Sequence, residues 1–484
     1  MASLVRADPA SFRDPAGLVF SRDGVLLRQI NRGAGHDDYE ALMRSGGLYE
    51  TLAGAGHLIP HQAADLNEGY SDAAGAVIRP ERVPFVSYPY EWCFGQLRDA
   101  ALLTLHVQRE ALRFDLSLKD ASAYNVQFWR GCRPVFIDTL SFARYVEGAP
   151  WVAYRQFCQH FLAPLALIAH HRDARLGRLS QIGLDGVALD LAARLLPWKS
   201  RLNPALLAHL HLHAAAQRRH AGGDGASASP PPAGRVSRSA LLGLLDSLEA
   251  GVRRLDWRPG GTEWADYYDN TNYDADAFYA KKRLVARLLE IACPALPRRV
   301  CDLGANTGVF SRVASAQGIF TLALDVDPAA VEKNYRDCRA SGEQNLLPLV
   351  QDLTNPSAGV GWAGEERPSF FARWAATQNP NGDVALALAL VHHLAIGSNV
   401  PLPHVARLLS RLAEFLVIEW VPPDDSQVRR LLARRAATAF PDYTPSGFEQ
   451  AFGAHFTIRD RAPIPGTSRI LYLMRRRDAA ASRP

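Results

Sequence analysis

From Lys281 onward the apolar positions alternate between two rhythms. Leu284, Leu288 and Leu289 recur at helical spacing, RRVCDLG is a short apolar run of strand length, a helix begins at Val309, FTLALDVD is a second strand, and Pro328 opens another helix. Further strands are predicted over Leu347–Gln351, Asp383–Val391 and Phe415–Trp420. Short apolar strands separated by amphipathic helices build βαβ units and hence a parallel sheet. The last segment differs: FTIRD, the turn-rich APIPGTS and RILYLMRRR are two alternating runs around a turn, the pattern of an antiparallel hairpin. The predicted class is α/β, a doubly wound, mostly parallel sheet ending in an antiparallel hairpin.

The N-terminal stretch carries a different pattern. LVFSRDGVLLRQIN predicts two short strands around an Asp23-Gly24 turn, DYEALMRSGGLYETLAGAG a helix and its loop, and VPFVSYPYEWCFGQLRDAALLTLHVQREAL a strand, a connector and a long helix, an α+β arrangement. Between the two patterns, Ala214 to Arg238 has no apolar period and reads as a flexible linker with three successive prolines. After it Leu241, Leu242, Leu244, Leu245, Leu248, Val252 and Leu255 recur at helical spacing behind Ser237 or Ser239 as N-cap. The predicted division is residues 1–213, a linker over 214–238, and a second domain over 239–484.

Composition narrows the function classes without choosing among them. The 484 residues exceed one ordinary core, and 48% hydrophobic with 21% charged residues is globular composition. A net charge of +5 and no basic run before Arg475, Arg476 and Arg477 argue against nucleic acid as the partner. Cys93, Cys132, Cys158, Cys293, Cys301 and Cys338 form no CxxC pair, so reduced thiols and no metal site are expected. The N-terminus lacks a signal-peptide apolar stretch, and no apolar run approaches the ~18 residues of a membrane span. A cytoplasmic protein without membrane contact is the expectation.

Candidate chemistry concentrates in VCDLGANTG, residues 300–308. Here Asp302 ends a strand, and Gly304 and Gly308 let a ligand approach backbone N–H groups that a Cβ would shield. Roughly 20 residues after Gly304, one βα unit on, Asp325 ends the next strand where an acid accepts hydrogen bonds from ribose hydroxyls. Asp327 before Pro328 suits a helix N-cap instead, and Gln351 and Asp352 end the third strand at the height of an adenine edge. A dinucleotide oxidoreductase needs G-x-G-x-x-G, which Ala305, Asn306 and Thr307 do not supply.

VCDLGANTGVFSR, LALDVDPAAVEKN, VQDL, DVALALALVHHLAI, FLVIEWVP and the final hairpin resemble, in order, the motifs of class I S-adenosyl-L-methionine (SAM)-dependent methyltransferases, from about Trp264 to Arg477. The resemblance implies a Rossmann-like fold and SAM as cofactor, with Asp302 at the methionine end, Gly304, Asn306 and Gly308 in the loop beneath it, Asp325 on the ribose and Asp352 on the adenine. Asn306 stands where many members have glycine. Tyr267, Tyr268 and Tyr273 are candidates to cover the cofactor. A general base, where the acceptor needs one, belongs at the ends of the fourth and fifth strands, which makes His392, His393 and Glu419 the catalytic candidates. The long connection from Asp352 to Asp383 is expected to shape an acceptor pocket or lid. Its Asn355-Pro356 lies after the third strand and lacks a second proline, so it is not the Asn-Pro-Pro-aromatic motif of amino-methylating enzymes. The acceptor is expected to be a small molecule or carbohydrate.

In the N-terminal stretch, LSLKDASAYNVQFWRGCRPVFIDTLSF spaces Asp120 and Asn125 as in D-x-x-x-x-N, with Asp138 after the next hairpin. This resembles the aminoglycoside-phosphotransferase and kinase-like fold. Lys119 replaces the usual His-Arg, no glycine-rich phosphate loop precedes it, and Arg28 is the nearest cation. A degenerate kinase-like domain that recognises the acceptor is expected; the alternative is a phosphotransferase or binding module fused to a methyltransferase.

Overall fold

A computed structural model describes residues 4–44, 46–221, 236–259, 275–292, 299–376, 382–433 and 439–478. Tyr267, Tyr268, Tyr273 and Cys293 lie outside them, as does most of the expected linker. Chain contacts divide the protein into two units that do not follow the predicted boundaries.

The first unit opens with a five-stranded antiparallel sheet made of β1 (Val5–Ala7), β2 (Gly17–Arg22), β3 (Val25–Asn31), β4 (His61–Ala64) and β5 (Ala74–Pro80), in the order β1-β2-β3-β5-β4. Asp23 and Gly24 both take positive φ, 50° and 82°, as a two-residue hairpin turn requires. The helix Phe94–Arg113 follows, then two small antiparallel pairs: β6 (Leu116–Leu118) with β9 (Phe142–Arg144), and β7 (Val126–Trp129) with β8 (Arg133–Phe136).

Two later stretches complete this unit. The helix Arg238–Arg254 was expected to open the second domain, but its stripe Leu241, Leu245, Leu248 and Val252 is buried in the first unit. There Arg109 of the helix Phe94–Arg113 reaches its Asp246 at 2.7 Å and Glu249 at 3.2 Å. The second stretch is residues 358–369, the middle of the long connection. Arg13 Nε and Nη2 donate to the two Glu366 oxygens at 2.6 and 2.8 Å. Arg367 lies over the Tyr124 ring at 4.5 Å, and Val360 packs against buried Tyr88, Tyr90 and Tyr124. The expected lid is therefore a strap of the first unit, held there because the carboxylate of Glu366 finds its cation in Arg13. The expected linker also shrinks, since His213–Ala221 is helical.

The second unit is a seven-stranded sheet: β10 (Val300–Leu303), β11 (Thr321–Asp325), β12 (Leu346–Val350), β13 (Val384–Ala387), β14 (Phe415–Trp420), β15 (Phe456–Pro463) and β16 (Ile470–Arg476), ordered β12-β11-β10-β13-β14-β16-β15. Strands β10 to β14 pair in parallel, while β16 runs antiparallel between β14 and β15. This is the doubly wound sheet with a terminal antiparallel hairpin that the apolar rhythm predicts. Its central strands are apolar at nearly every position because both faces are covered. Asp327 caps the helix Pro328–Ser341 by accepting from the Ala329 N–H at 2.9 Å, as expected. Strand β13 stops well short of Val391: Ala389 takes φ 49°, and a wide turn of π-helical form over His393–Gly397 follows. The strand order reverses between β10 and β13, so the loops after them part and leave a crevice at the carboxyl edge. Among the described residues no helix is long and apolar enough to cross a membrane.

Candidate functional site

A cavity of about 390 Å³ opens at that crevice. It collects Asp302 from β10, Gly304 and Asn306 from the loop after it, Asp325 from β11, and Gln351 and Asp352 from just after β12. Gly304 takes φ 71°, and a Cβ there would sit 3.2 Å from the Leu390 side chain. Asn306 takes φ 51°, a left-handed conformation that asparagine tolerates better than most residues and that glycine takes freely. Gly308 does not line the cavity; at φ 79° its missing Cβ leaves room for Asn334, which would lie 2.4 Å away. It shapes the turn.

The two strand-end acids, Asp302 and Asp325, are buried. Asp302 accepts from Ser311 Oγ at 2.6 Å, and burial pushes its carboxyl up to about 7. Asp325 accepts from the Asn306 and Asp327 N–H groups at 2.8 and 2.9 Å, and burial still raises it to about 6. Asp352 also caps its own turn, one oxygen accepting from Thr354 N at 2.8 Å and Thr354 Oγ1 at 2.7 Å. Gln351 is 2% exposed; its Oε1 accepts from Ser357 Oγ at 3.0 Å, whereas Nε2 is buried with no protein partner. An orphaned amide in a cavity wall is a donor awaiting a ligand acceptor.

Of the three catalytic candidates only His393 lines the cavity. Burial, with Arg469 nearby, lowers its imidazole to about 4, so it is neutral at physiological pH. The His392 ring lies tilted against it, 4.0 Å between ring centroids, but is buried and does not line the cavity. Glu419 is fully buried and engaged: Lys281 Nζ lies 2.6 Å and the Ala389 N–H 2.8 Å from Oε2, and Arg469 Nη1 lies 3.2 Å from Oε1. Arg469 continues to Asp425 at 2.8 Å. Glu419, expected as a base, is held in these contacts and ties the loop after β13 to the sheet. Lys281, in the helix Ala275–Ala292, does line the cavity and was not among the expected residues.

In the first unit Asp120, Asn125 and Asp138 converge. Asn125 Nδ2 donates to Ser141 Oγ at 3.0 Å, and Ser141 Oγ donates to Asp138. Burial raises the Asp120 carboxyl, and neighbouring Asp138 raises it further. Arg28, on β3, pairs directly with Asp138 and lies 3.9 Å from Asp14, while Lys119 lies 3.7 Å from Asp38.

No family model matches the sequence. Among solved structures, the bifunctional kinase-methyltransferase WbdD is 17% identical over 45% of this chain and 42% of its own, with a TM-score of 0.30. The chain thus spans less than half of WbdD. Magnesium protoporphyrin IX methyltransferase (ChlM) from Synechocystis PCC 6803, with bound SAH, is 16% identical over 44% of this chain and 92% of its own, also at a TM-score of 0.30. The nodulation protein NoeA of Rhizobium meliloti (strain 1021) is 34% identical over 492 aligned residues. That alignment takes in 98% of either chain, strap and both units included, and so this protein belongs to the NoeA nodulation-protein family.

Proposed function

We propose that the sheet unit binds SAM and directs transfer of its methyl group to an acceptor, a small molecule or carbohydrate rather than nucleic acid, with the first unit recognising that acceptor. One observation carries the reading: a single cavity at the strand-order reversal gathers Asp302, Gly304, Asn306, Asp325, Gln351 and Asp352. The residues fit the cofactor. Two buried acids suit a cationic ligand, Asp325 retains acceptor capacity for ribose hydroxyls, and the orphaned Gln351 amide suits a ring nitrogen of adenine. SAM, when bound, supplies an activated methyl carbon, so the protein contributes orientation and electrostatics. Leu388, Leu390 and Leu394 keep water from the cavity wall, and neutral His393 orients an acceptor hydroxyl or amine by a hydrogen bond. Calorimetric titration with SAM tests the reading: saturable binding supports it, and no binding by the folded protein ends it.

The same acids give that titration a pH dependence. Burial raises both carboxyls above their unfolded values, so the folded protein without ligand keeps protons that the unfolded chain releases, and its stability falls as pH rises from about 4 toward 7. A cationic ligand needs the ionised forms. SAM affinity should therefore rise from about pH 5 to about pH 7, by at most about tenfold per unit for each proton released, and level off above that. Asp302→Asn should flatten the upper part of the rise; an unchanged profile would remove Asp302 from the site.

A second reading, a phosphotransferase, is favoured by the convergence of Asp120, Asn125 and Asp138. Catalysis there needs the Asp138 carboxylate on a metal ion and a cation on the phosphates. Arg28 already neutralises Asp138, so the expected outcome is no ATP binding with magnesium at micromolar concentrations. Micromolar binding abolished by Asp138→Ala would make the first unit a second enzyme.

A further inference from the structure

We infer that the surface around Trp198, in the first unit, is a docking face for an anionic phospholipid bilayer, which the chain lies against and does not cross.

The sequence RLLPWKSRL, residues 194–202, sets large apolar residues beside cations. It begins in the last turn of the helix Leu189–Leu195 and, after Pro197, forms the 3-10 helix Trp198–Leu202. A 3-10 helix turns once in three residues, so positions three apart share a face. Pro197, Ser200 and Asn203 share the inward one. Ser200 is fully buried, its Oγ donating to Pro197 O at 2.7 Å and lying 2.8 Å from His211 Nε2. That anchor turns the other two faces outward. Trp198 and Arg201 share one, Lys199 and Leu202 share the other, and all four are exposed. Each outward face therefore carries one large apolar side chain and one cation.

Trp198 is 67% exposed, Leu202 71% and neighbouring Leu195 43%. A single exposed leucine is ordinary, but a tryptophan and two leucines so close together are an apolar surface that folding leaves in water. Charge decides what covers it. The one acid among residues 189–202, Asp190, is already paired with Arg194. Lys199 and Arg201 have no acidic partner among the described residues, and neither has exposed Arg172. Arg172 joins the same edge because His171 before it places Nε2 3.0 Å from Leu195 O. A second copy of the chain docked on this face would bring like charges together. An anionic bilayer supplies what both kinds of side chain need: headgroup charge for the cations, and an interfacial layer in which tryptophan and leucine leave water. Side chains this exposed are tips that insert, and a bilayer receives them without a preformed pocket.

The test is co-sedimentation of the full chain with vesicles of phosphatidylcholine alone and of phosphatidylcholine mixed with phosphatidylglycerol. At low salt the wild type should bind the mixed vesicles at least about tenfold more tightly than the neutral ones, and high salt should remove most of that preference. The double variant Trp198→Ser, Leu202→Ser should bind the mixed vesicles at least about tenfold more weakly. The double variant Lys199→Gln, Arg201→Gln should lose about fivefold of the preference per charge. All four positions are exposed, so Tm should stay within about 2 °C of wild type in both variants. A wild type that does not sediment with the mixed vesicles overturns the inference, and so does a Trp198→Ser, Leu202→Ser protein that binds them as the wild type does. Sedimentation velocity showing a wild-type dimer that the same variant dissolves would give the face to a second copy and overturn it as well.

Discussion

Asp325→Ala is expected to weaken SAM binding by about two orders of magnitude. On the proposed reading its carboxylate accepts from two ribose hydroxyls, and charge-assisted hydrogen bonds are worth ~1.5 to 3 kcal/mol each. The lower bound for two, about 3 kcal/mol, is a factor of roughly 150 in the dissociation constant. Stability is a poor readout for this variant because it moves in opposed directions. The Asn306 and Asp327 N–H groups lose their acceptor, while a desolvated acid is removed. Binding is the discriminating quantity, and Asp325→Asn, which keeps the shape and one acceptor, should fall between the two. Affinity within twofold of wild type in a folded Asp325→Ala protein would sink the site assignment.

Glu419→Ala should act in the other direction, on folding. It would leave Lys281 and Arg469 buried around a missing charge, and breaking a buried ion pair from one side costs about 3–5 kcal/mol. For a unit of this size that is a fall in Tm of roughly 10 °C. Glu419→Gln, which keeps the oxygen facing Arg469, should lose less. Scanning calorimetry separates this role from the one its position at a strand end implies: a general base would give lost turnover at unchanged Tm.

The contrast marks how far the sequence could be read. The mostly parallel sheet, its closing hairpin and the loop after β10 were legible because they leave local signals: apolar runs of strand length, glycines in a turn, a proline behind an N-cap; the strand order was not. The height of Glu419 and the two histidines at the strand ends was legible too. Which way their side chains point was not, since that is decided by Arg469, fifty residues beyond Glu419, and by the positive φ of Ala389. Lys281 left a signal that went unused, a lysine at an apolar position of a helical stripe. Gln351 was singled out with Asp352, but only the fold shows its amide without a partner. The strap was beyond reach, because the pairing of Arg13 with Glu366 spans 353 residues of chain.

That strap bears on how such a protein can be inherited. The first unit is sewn from Met1–Trp129, Arg133–Arg258 and Ala358–Ser369, so its fold is encoded on both sides of the proline-rich stretch and again inside the other unit's sequence. A gene broken or recombined at residues 222–235 would separate the helix Phe94–Arg113 from its partner Arg238–Arg254 and Arg13 from Glu366. Neither half would then carry a complete first unit. The interleaved first unit survives only in a chain left unbroken across that stretch, and NoeA aligns over 98% of both chains.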